Sequence, residues 1–405
     1  MTLSNWAGNT AFRASDVHHP SSLDELRRLV AGSPRVRALG SGHSFNDVAD
    51  TTGDLVVLDR MPDAVEIDSA AARVRVPARM TYARLAPQLD AHGLALANLA
   101  SLPHISVAGS VATGTHGSGD AIPSLAAAVS SLDLVTADGS TLTLARGDAD
   151  FPGAVVALGA LGVVTSLTLD VVPSFEVRQY VREGLPFEAL AHFDDIMAAG
   201  YSVSLFTDWR ETRVWLKRAG DPGDEPPAGW YGTRPADGPR HPLPAMPADP
   251  CTTQLGVPGP WHERLPHFRA DFEPSGAGDE LQSELILPRE HAVEALRALF
   301  AIGERIRPVL HISEVRTVAA DDLWLSPFHG RDSVGVHFTW IKDPEGVRPV
   351  LELVEETLAP FEPRPHWGKL FTRWPSCPER FRSLAARLDP EGKFANDFTR
   401  RLLGE

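Results

Sequence analysis

The sequence predicts an α+β protein of two domains. Its 405 residues exceed the size at which one hydrophobic core usually stops growing. Short segments with the two-residue period of strands alternate along the chain with amphipathic segments of helical period. A hydrophobic fraction of 43% supports packed cores, so we expect two globular units built from short elements.

The first 172 residues read as short strands and helices. Ser22 and Glu25 have the spacing of a capping box before a helix at 26–30, and Thr81 is placed to cap a second helix that stops at Gly93. Asp138-Gly139 is a strong hairpin signal. The predicted strands are 35–39, 55–58, 65–68, 73–76, 132–136, 141–144 and 161–171.

The second part of the chain predicts longer paired strands. Residues 187–199 have a helical pattern, and Pro288 suits the first position of a helix that runs to Gly303. A Pro- and Gly-rich stretch at 219–266 predicts a long excursion that could shield a site. The predicted strands are 202–208, 213–217, 280–287, 310–318 and 334–340, and an amphipathic tail follows at 378–405.

Composition excludes several classes of protein. A formal net charge of -15 gives no electrostatic basis for binding nucleic acid or anionic lipid. The chain has only Cys251 and Cys377 and no CxxC pair, which predicts neither disulfides nor a metal site and suits a reducing cytoplasm. We expect no signal peptide and no membrane span, because no long apolar run occurs. The acidic balance and the lack of heptads favour a monomer.

Two loops rich in Gly, Ser and His stand out, GSGHSF at 40–45 and SLPHISVAGSVATGTHG at 101–117. Such loops let a backbone approach a ligand and aim N–H groups at anionic oxygens. Neither contains GxGxxG or GxxxxGK, and neither fits the GxSxG nucleophile elbow. The remaining interpretation is that these loops bind a phosphate-bearing cofactor in a fold that uses none of these motifs.

These loops, with GALGVV at 159–164, resemble the vanillyl-alcohol-oxidase type of FAD-dependent oxidoreductase, and within it the alditol oxidase (xylitol oxidase) family. The resemblance continues through NWAGN near the start, SLFTDWR at 204–210, GVPGPWHERLPHFR at 256–269 and HWGK at 366–369. It implies an FAD-binding domain of two small α+β subdomains (PCMH-type) at 1–172. A substrate domain with a large antiparallel sheet would follow at 173–377, and the segment 378–405 would return to the FAD domain.

For His43 the resemblance implies a covalent bond to the 8α carbon of FAD. On its residues alone, GSGHS fits an ordinary loop histidine that donates to a carbonyl. A neutral imidazole is nevertheless a competent nucleophile near neutral pH. Relatives with two links use a cysteine in the second loop, and this chain has none there, so a single link is expected. The other implied cofactor residues are Leu39, Gly40, Ser41, Gly42, Ser44, Phe45, Ser101, Ser106, Gly109, Thr113, Gly114, Thr115, His116, Gly162 and Val164.

Alternation along the predicted strand 310–318 puts Glu314 and Arg316 on one face. Spacing alone fits either a structural ion pair or a polar clamp. The resemblance implies that Ser101, Glu314, Arg316, Thr339 and Lys369 bind substrate. Lys369 and Arg316 would polarise or deprotonate the reacting hydroxyl, with the pKa of Lys369 lowered by burial beside Arg316, and Glu314 would fix Arg316.

The implied reaction is FAD-dependent oxidation of the terminal primary alcohol of an alditol such as xylitol, sorbitol or glycerol. Hydride passes to the flavin, the product is the aldose, and O2 is reduced to hydrogen peroxide. A sugar-1,4-lactone oxidase or dehydrogenase of the same fold is the first alternative, because its HWGK segment can look alike. A serine hydrolase or a sugar-binding module that merely carries Gly-Ser-His loops is the second.

Overall fold

The computed structural model describes residues 3–220, 225–244, 246–273 and 279–404. Small parts of the predicted excursion (221–224 and 245) and Glu405 lie outside the described residues. The elements of the first part are β1 (Asp16–His18), α1 (Leu23–Gly32), β2 (Val36–Leu39), β3 (Asp54–Val57), β4 (Glu66–Asp68), β5 (Arg73–Pro77), α2 (Tyr82–Asp90), β6 (Leu94–Ala95), α3 (Val107–Ala112), β7 (Val129–Val135), β8 (Thr141–Ala145), α4 (Phe151–Ala154) and β9 (Val163–Asp170).

Two small sheets organise this first part. One is parallel, in the order β1-β3-β2, and the other is antiparallel, in the order β4-β5-β9-β7-β8. The predicted hairpin is present as β7 and β8, and Gly139 adopts a φ of 79° in the turn, which glycine adopts without strain. The capping box is only half formed: Ser22 accepts from the N–H of Glu25, but the Glu25 carboxylate accepts from Ser21.

The second part contains the large antiparallel sheet that the sequence predicts. Its strands lie in the order β14-β11-β13-β12-β17-β18-β16-β19, and β15 pairs with β11. The elements are β10 (Val172–Pro173), β11 (Glu176–Glu183), α5 (Phe193–Met197), β12 (Ser202–Thr207), β13 (Thr212–Ala219), β14 (Arg234–Pro235), β15 (Gly259–Pro260), β16 (Glu280–Pro288), α6 (Ala292–Ala301), α7 (Gly303–Ile306), β17 (Leu310–Val318), β18 (Ser333–Ile341), α8 (Pro344–Leu358), β19 (Arg364–Pro365), α9 (Glu379–Leu388) and α10 (Asp397–Leu403).

Some element predictions were wrong in detail. Pro288 ends β16 and does not open a helix, and α6 begins only at Ala292 after a 3-10 turn. Half of the predicted helix at 187–199 is a 3-10 segment, Phe187–His192, followed by α5. The strand β11 and the helix α8 were not predicted. Asp343 caps α8 by accepting from the N–H of Gly346.

The C-terminal tail packs against the first part of the chain. Phe381 and Phe398, from α9 and α10, share a hydrophobic core with Val74 and Leu167 of the five-stranded sheet. The buried Arg37 guanidinium of β2 donates to the carbonyl of Phe394 at 2.8 Å. We keep 1–172, 173–377 and 378–405 as our proposed domain boundaries. Among the described helices, none combines the length and the apolar character needed to cross a membrane.

Candidate active site

One cavity of about 490 Å³ lies between the loops of the first part and the face of the large sheet. The sequence-predicted site residues line it, with one exception. Gly114 is not among the lining residues: it has a φ of 67°, and a Cβ there would lie 2.9 Å from Pro327 Cδ. A tight turn against Pro327 accounts for the glycine here, and the assignment of Gly114 to the cofactor site stays a prediction.

The two glycine-rich loops meet edge to edge. Ser41 Oγ accepts from the N–H of Ser106 at 3.1 Å, and Ser106 Oγ lies 3.4 Å from the N–H of Ser41. A Cβ on Gly40 or Gly109 would come within 2.6 or 2.7 Å of Ser106 Oγ. These glycines therefore allow a close approach of two backbones at the cavity wall. Such a backbone cradle fits a cofactor with an anionic pyrophosphate.

His43 lines the cavity in a loop that is held on both sides. Its ring lies 5.3 Å from the Trp6 ring, and the N–H of Phe45 donates to Gly368 O at 2.8 Å. Burial, together with the nearby His104, lowers the pKa of His43 to about 4. Within the described part of the chain, neither imidazole nitrogen of His43 has a hydrogen-bond partner. The ring is thus neutral and free to react.

The turn that carries Lys369 is hydrogen-bonded to the loop that carries His43. Asn46 Nδ2 donates to the carbonyls of Trp367 and Lys369, both at 2.8 Å. The Lys369 N–H donates back to His366 O at 3.1 Å. Two segments more than 300 residues apart in sequence therefore form one wall of the cavity.

Glu284 on β16 is the centre of the charged network, and the sequence analysis missed it. Its side chain is fully buried and accepts from Arg316 Nη2 and Lys369 Nζ, each at 2.7 Å. Burial alone would raise the pKa of Glu284, but Arg316, Lys369 and His116 hold it well below its usual range. Alternation along β16 gave a usable signal, because Glu280, Gln282 and Glu284 share a face that lines the cavity.

Sheet register explains how these groups meet. Glu284, His337 and Glu314 are directly opposite one another on β16, β18 and β17. Gly335 lies opposite Arg316, and a Cβ on it would come within 3.1 Å of Glu284 Oε1. A glycine at this position therefore leaves room for the ion pair between Arg316 and Glu284.

Lys369, His337 and Thr339 form a hydrogen-bonded chain. Lys369 Nζ lies 2.7 Å from His337 Nδ1, and His337 Nε2 lies 3.0 Å from Thr339 Oγ1. Since an ammonium can only donate, Nδ1 accepts and Nε2–H donates to Thr339. Burial and then Lys369 hold the pKa of His337 well below its usual range. The Thr339 hydroxyl hydrogen therefore remains available to the cavity.

Glu314 has a different neighbour from the one expected. Its Oε1 accepts from His267 Nε2 at 2.9 Å, whereas its Oε2 is 3.6 Å from Arg316 Nε. Glu284 makes the shorter contact with Arg316, and the expected part of Glu314 in fixing Arg316 stays a prediction. Burial would raise the pKa of Glu314, but Arg316 and His267 lower it strongly. Glu314 is ionised with one oxygen left for another donor.

Burial lowers the pKa of Lys369, and nearby Arg316 lowers it further, while Glu284 opposes both effects. The direction agrees with the sequence-based expectation. The Pro- and Gly-rich excursion contributes Pro242 and Leu243 to the cavity wall, and His267 lies directly after it on the same wall. The shielding of the site by the excursion stays a prediction.

Comparison with known proteins agrees with this geometry. A family model described as FAD binding domain matches residues 16–145, and one described as D-arabinono-1,4-lactone oxidase matches residues 280–402. A cholesterol oxidase structure from B. sterolicum superimposes with a TM-score of 0.79 at 16% identity, covering 99% of this chain and 96% of that one. At this identity the likeness shows the fold alone.

The fold, the loop cradle and the FAD-binding match define an FAD-linked oxidoreductase of the vanillyl-alcohol-oxidase type. They exclude the serine hydrolase and sugar-binding alternatives. An alditol oxidase from a Streptomyces species is 54% identical over 99% of both chains. L-gulono-1,4-lactone dehydrogenase of Mycobacterium tuberculosis is 32% identical over 99% of both. The chain belongs to the alditol oxidase family.

Proposed function

We propose that this chain oxidises the terminal primary alcohol of small polyols such as xylitol, sorbitol or glycerol to the aldehyde, with O2 as the electron acceptor and hydrogen peroxide as product. The 54% identical relative supports the reaction class, and lactone-oxidising relatives are more distant. A polyol is rich in hydroxyl groups, so its site needs several oriented donors and acceptors.

The observation that carries the proposal is a cavity wall with unused hydrogen-bonding capacity. Two of the three ammonium hydrogens of Lys369 are directed to Glu284 and His337, which leaves one. The Thr339 hydroxyl still has its hydrogen, and Glu314 still has a carboxylate oxygen. Two donors and an acceptor on one wall match hydroxyl groups, each of which both accepts and donates.

Lys369 and Arg316 are the proposed catalytic pair, and Glu314 is the third catalytic group. Arg316 keeps a full positive charge, because Glu284 and Glu314 raise its pKa against the effect of burial, and it would polarise the reacting oxygen. Its lowered pKa would let Lys369 release its third hydrogen to solvent, and the lone pair of the neutral amine would then take the hydroxyl proton. Ser101 and Thr339 would bind further hydroxyls, and Ser101 Oγ lies 3.5 Å from Arg316 Nη1.

FAD, when bound, supplies the two-electron acceptor that O2 reoxidises. We propose that His43 holds it through a single 8α-histidyl bond and that the loops at 39–45 and 101–116, with Gly162 and Val164, surround it. The neutral, unpartnered imidazole of His43 supports this linkage. We further propose a monomer acting on a small polyol and O2, working in the cytoplasm.

Mass spectrometry of the intact protein tests the linkage. We expect a mass increase of one FAD, localised to the His43 peptide, and yellow protein after acid precipitation. His43→Ala should lose the acid-stable flavin, while His104→Ala, which removes a neighbouring histidine, should keep it. Acid-stable flavin in His43→Ala would overturn the assignment.

Oxygen uptake tests the reaction. Xylitol, sorbitol and glycerol should each give uptake with stoichiometric hydrogen peroxide, and an aldonolactone should give little. The lactone reaction is the second candidate because the lactone oxidase model matches residues 280–402. Uptake with a lactone and none with any polyol would replace the proposed function by that one.

A further inference from the structure

Lys217 is a buried lysine outside the cavity whose contacts lead into it. It lies on β13 with 1% of its surface exposed, and it is one of only four lysines in the sequence. Its Nζ donates to Leu265 O and lies 3.3 Å from Pro266 O and 3.2 Å from His267 Nδ1. His267 lines the cavity, so the lysine is one residue removed from the substrate space.

These three contacts determine the tautomer of His267. An ammonium has three donors and no acceptor, and Lys217 has two carbonyls and one imidazole nitrogen as its partners. With Lys217 in its ammonium form, His267 Nδ1 accepts and the ring hydrogen lies on Nε2. From there it donates to Glu314 Oε1 at 2.9 Å.

We propose that Lys217 is a positioning residue for substrate binding: by donating to His267 Nδ1 it keeps the hydrogen on Nε2, and His267 then holds Glu314 with its second oxygen facing the substrate. This inference rests on the proposed function, in which Glu314 Oε2 accepts from a polyol hydroxyl. The His267 ring is also held by packing, 5.2 Å from the Phe206 ring at 75°. Lys217 thus orients Glu314, which contacts the substrate, although Lys217 itself does not contact the substrate.

Packing alone does not account for a lysine at this position. Burial lowers the pKa of Lys217 to about 7, against the opposing effect of Glu314, so burying the ammonium costs stability that an apolar side chain would not. Arginine, which supplies 34 of the 38 lysine and arginine residues, has a planar head with five donors and no compact three-way geometry. The lysine suits the three acceptors that surround it.

Lys217→Met removes the donor while keeping the length of the side chain. We expect kcat/KM for xylitol to fall roughly ten- to a hundredfold, mainly through KM, because Glu314 is no longer fixed. Flavin content should stay unchanged. Lys393→Met is the matched control, since Lys393 is also buried and, among the described residues, its Nζ donates only to the carbonyls of Val30 and Ala31; it should leave KM unchanged.

A second background separates positioning from a structural role. In His267→Gln the donor to Glu314 is an amide N–H, which does not depend on Lys217. Adding Lys217→Met to that background should then change kcat/KM by less than about twofold. A general loss of structure would instead lower kcat/KM in both backgrounds, and that result would overturn the proposal.

The tautomer can be observed without turnover. Two-bond ¹H–¹⁵N correlation spectra of labelled histidine should show Nε2–H for His267 in the wild-type holoprotein and a shift toward Nδ1–H in Lys217→Met. A wild-type Nδ1–H tautomer overturns the proposal even if Lys217→Met does not fold. If no polyol is oxidised, the proposed function fails while this spectrum still decides the tautomer relay.

Discussion

Glu284→Gln is the most direct test of the charged network. Glutamine keeps the shape of the side chain but removes its charge, and its NH2 group must face one of two cations. In the wild type, both Arg316 and Lys369 donate to the Glu284 carboxylate at 2.7 Å, and the side chain has no exposed surface. The substitution therefore removes one of the two buried carboxylates, Glu284 and Glu314, that balance these cations.

The expected cost is large because the pair is buried. Removing one partner of a buried ion pair costs about 3–5 kcal/mol, on the order of 10 °C in the melting temperature of a domain of about 200 residues. Because the pKa of Glu284 is lowered by folding, its contribution is fully present above the unfolded pKa, about 4.5, and is lost as pH falls. The difference between wild type and variant should therefore shrink as pH falls below that value.

Urea unfolding of the holoprotein at pH 7 measures this cost, with Glu355→Gln as the matched control. Glu355 is also buried, but it accepts from the backbone N–H and the hydroxyl of Thr372, and no salt bridge to it occurs among the described residues. Its loss should cost less and leave activity intact.

A double-mutant cycle isolates the charge interaction. In a Lys369→Met background one uncompensated cation is absent, so Glu284→Gln should cost at least about 1 kcal/mol less than in the wild type. Costs that add within about 0.5 kcal/mol in the two backgrounds would refute the network. They would show that the carboxylate of Glu284 does not stabilise Lys369.

Two further substitutions test other parts of the structure. Burial lowers the pKa of His267 to about 4 from 6.5, so the unfolded state binds a proton at this histidine first as pH falls. About 3 kcal/mol of stability should therefore be lost between pH 6.5 and 4. His267→Gln should reduce this dependence of the unfolding free energy on pH, measured by urea titration. Gly162→Ala should lower flavin content and stability, because its Cβ would lie 2.6 Å from Val135 O. Gly147→Ala is the control: this glycine also has a positive φ but has open space around it, so the variant should keep its flavin. Equal flavin loss in both variants would show that the contact with Val135 is not the cause.

The sequence predicted the sheet better than the helices. Alternation identified β17 and β18 almost to the residue. Nearly every side chain of both strands is buried, but the polar face lines the cavity and the apolar face packs in the core, so a slip in register would exchange the two. The helix α8 was missed even though Asp343 and Pro344 form a recognisable start. Pro288 was assigned to a helix because its restricted φ suits the first helical position. The same φ also suits the end of a strand, and only pairing with Ser333 decides between the two.

Local patterns also limited what could be predicted of the site. The loops around His43 and Ser106 are visible as Gly-Ser-His runs, so their meeting at one cavity was predictable. Glu284 was not identified, because its partners Arg316 and Lys369 lie 32 and 85 residues away and reach it only through strand pairing. Lys217 carried no signal at all, since its role depends on three acceptors from a distant loop.

The balance of charge in the site explains why so many ionised groups surround a neutral ligand. Glu284 and Glu314 offset Arg316 and Lys369, and the lowered pKa values of His267 and His337 keep both rings uncharged. A polyol is uncharged, so a cavity wall with a net charge would need a bound counter-ion. Without one, it would contain an isolated buried charge, which is unfavourable. The balanced set avoids both, and each ion pair fixes the direction of the donors and acceptors that remain. The charges therefore act mainly by orientation, which is what discrimination among hydroxyl groups requires.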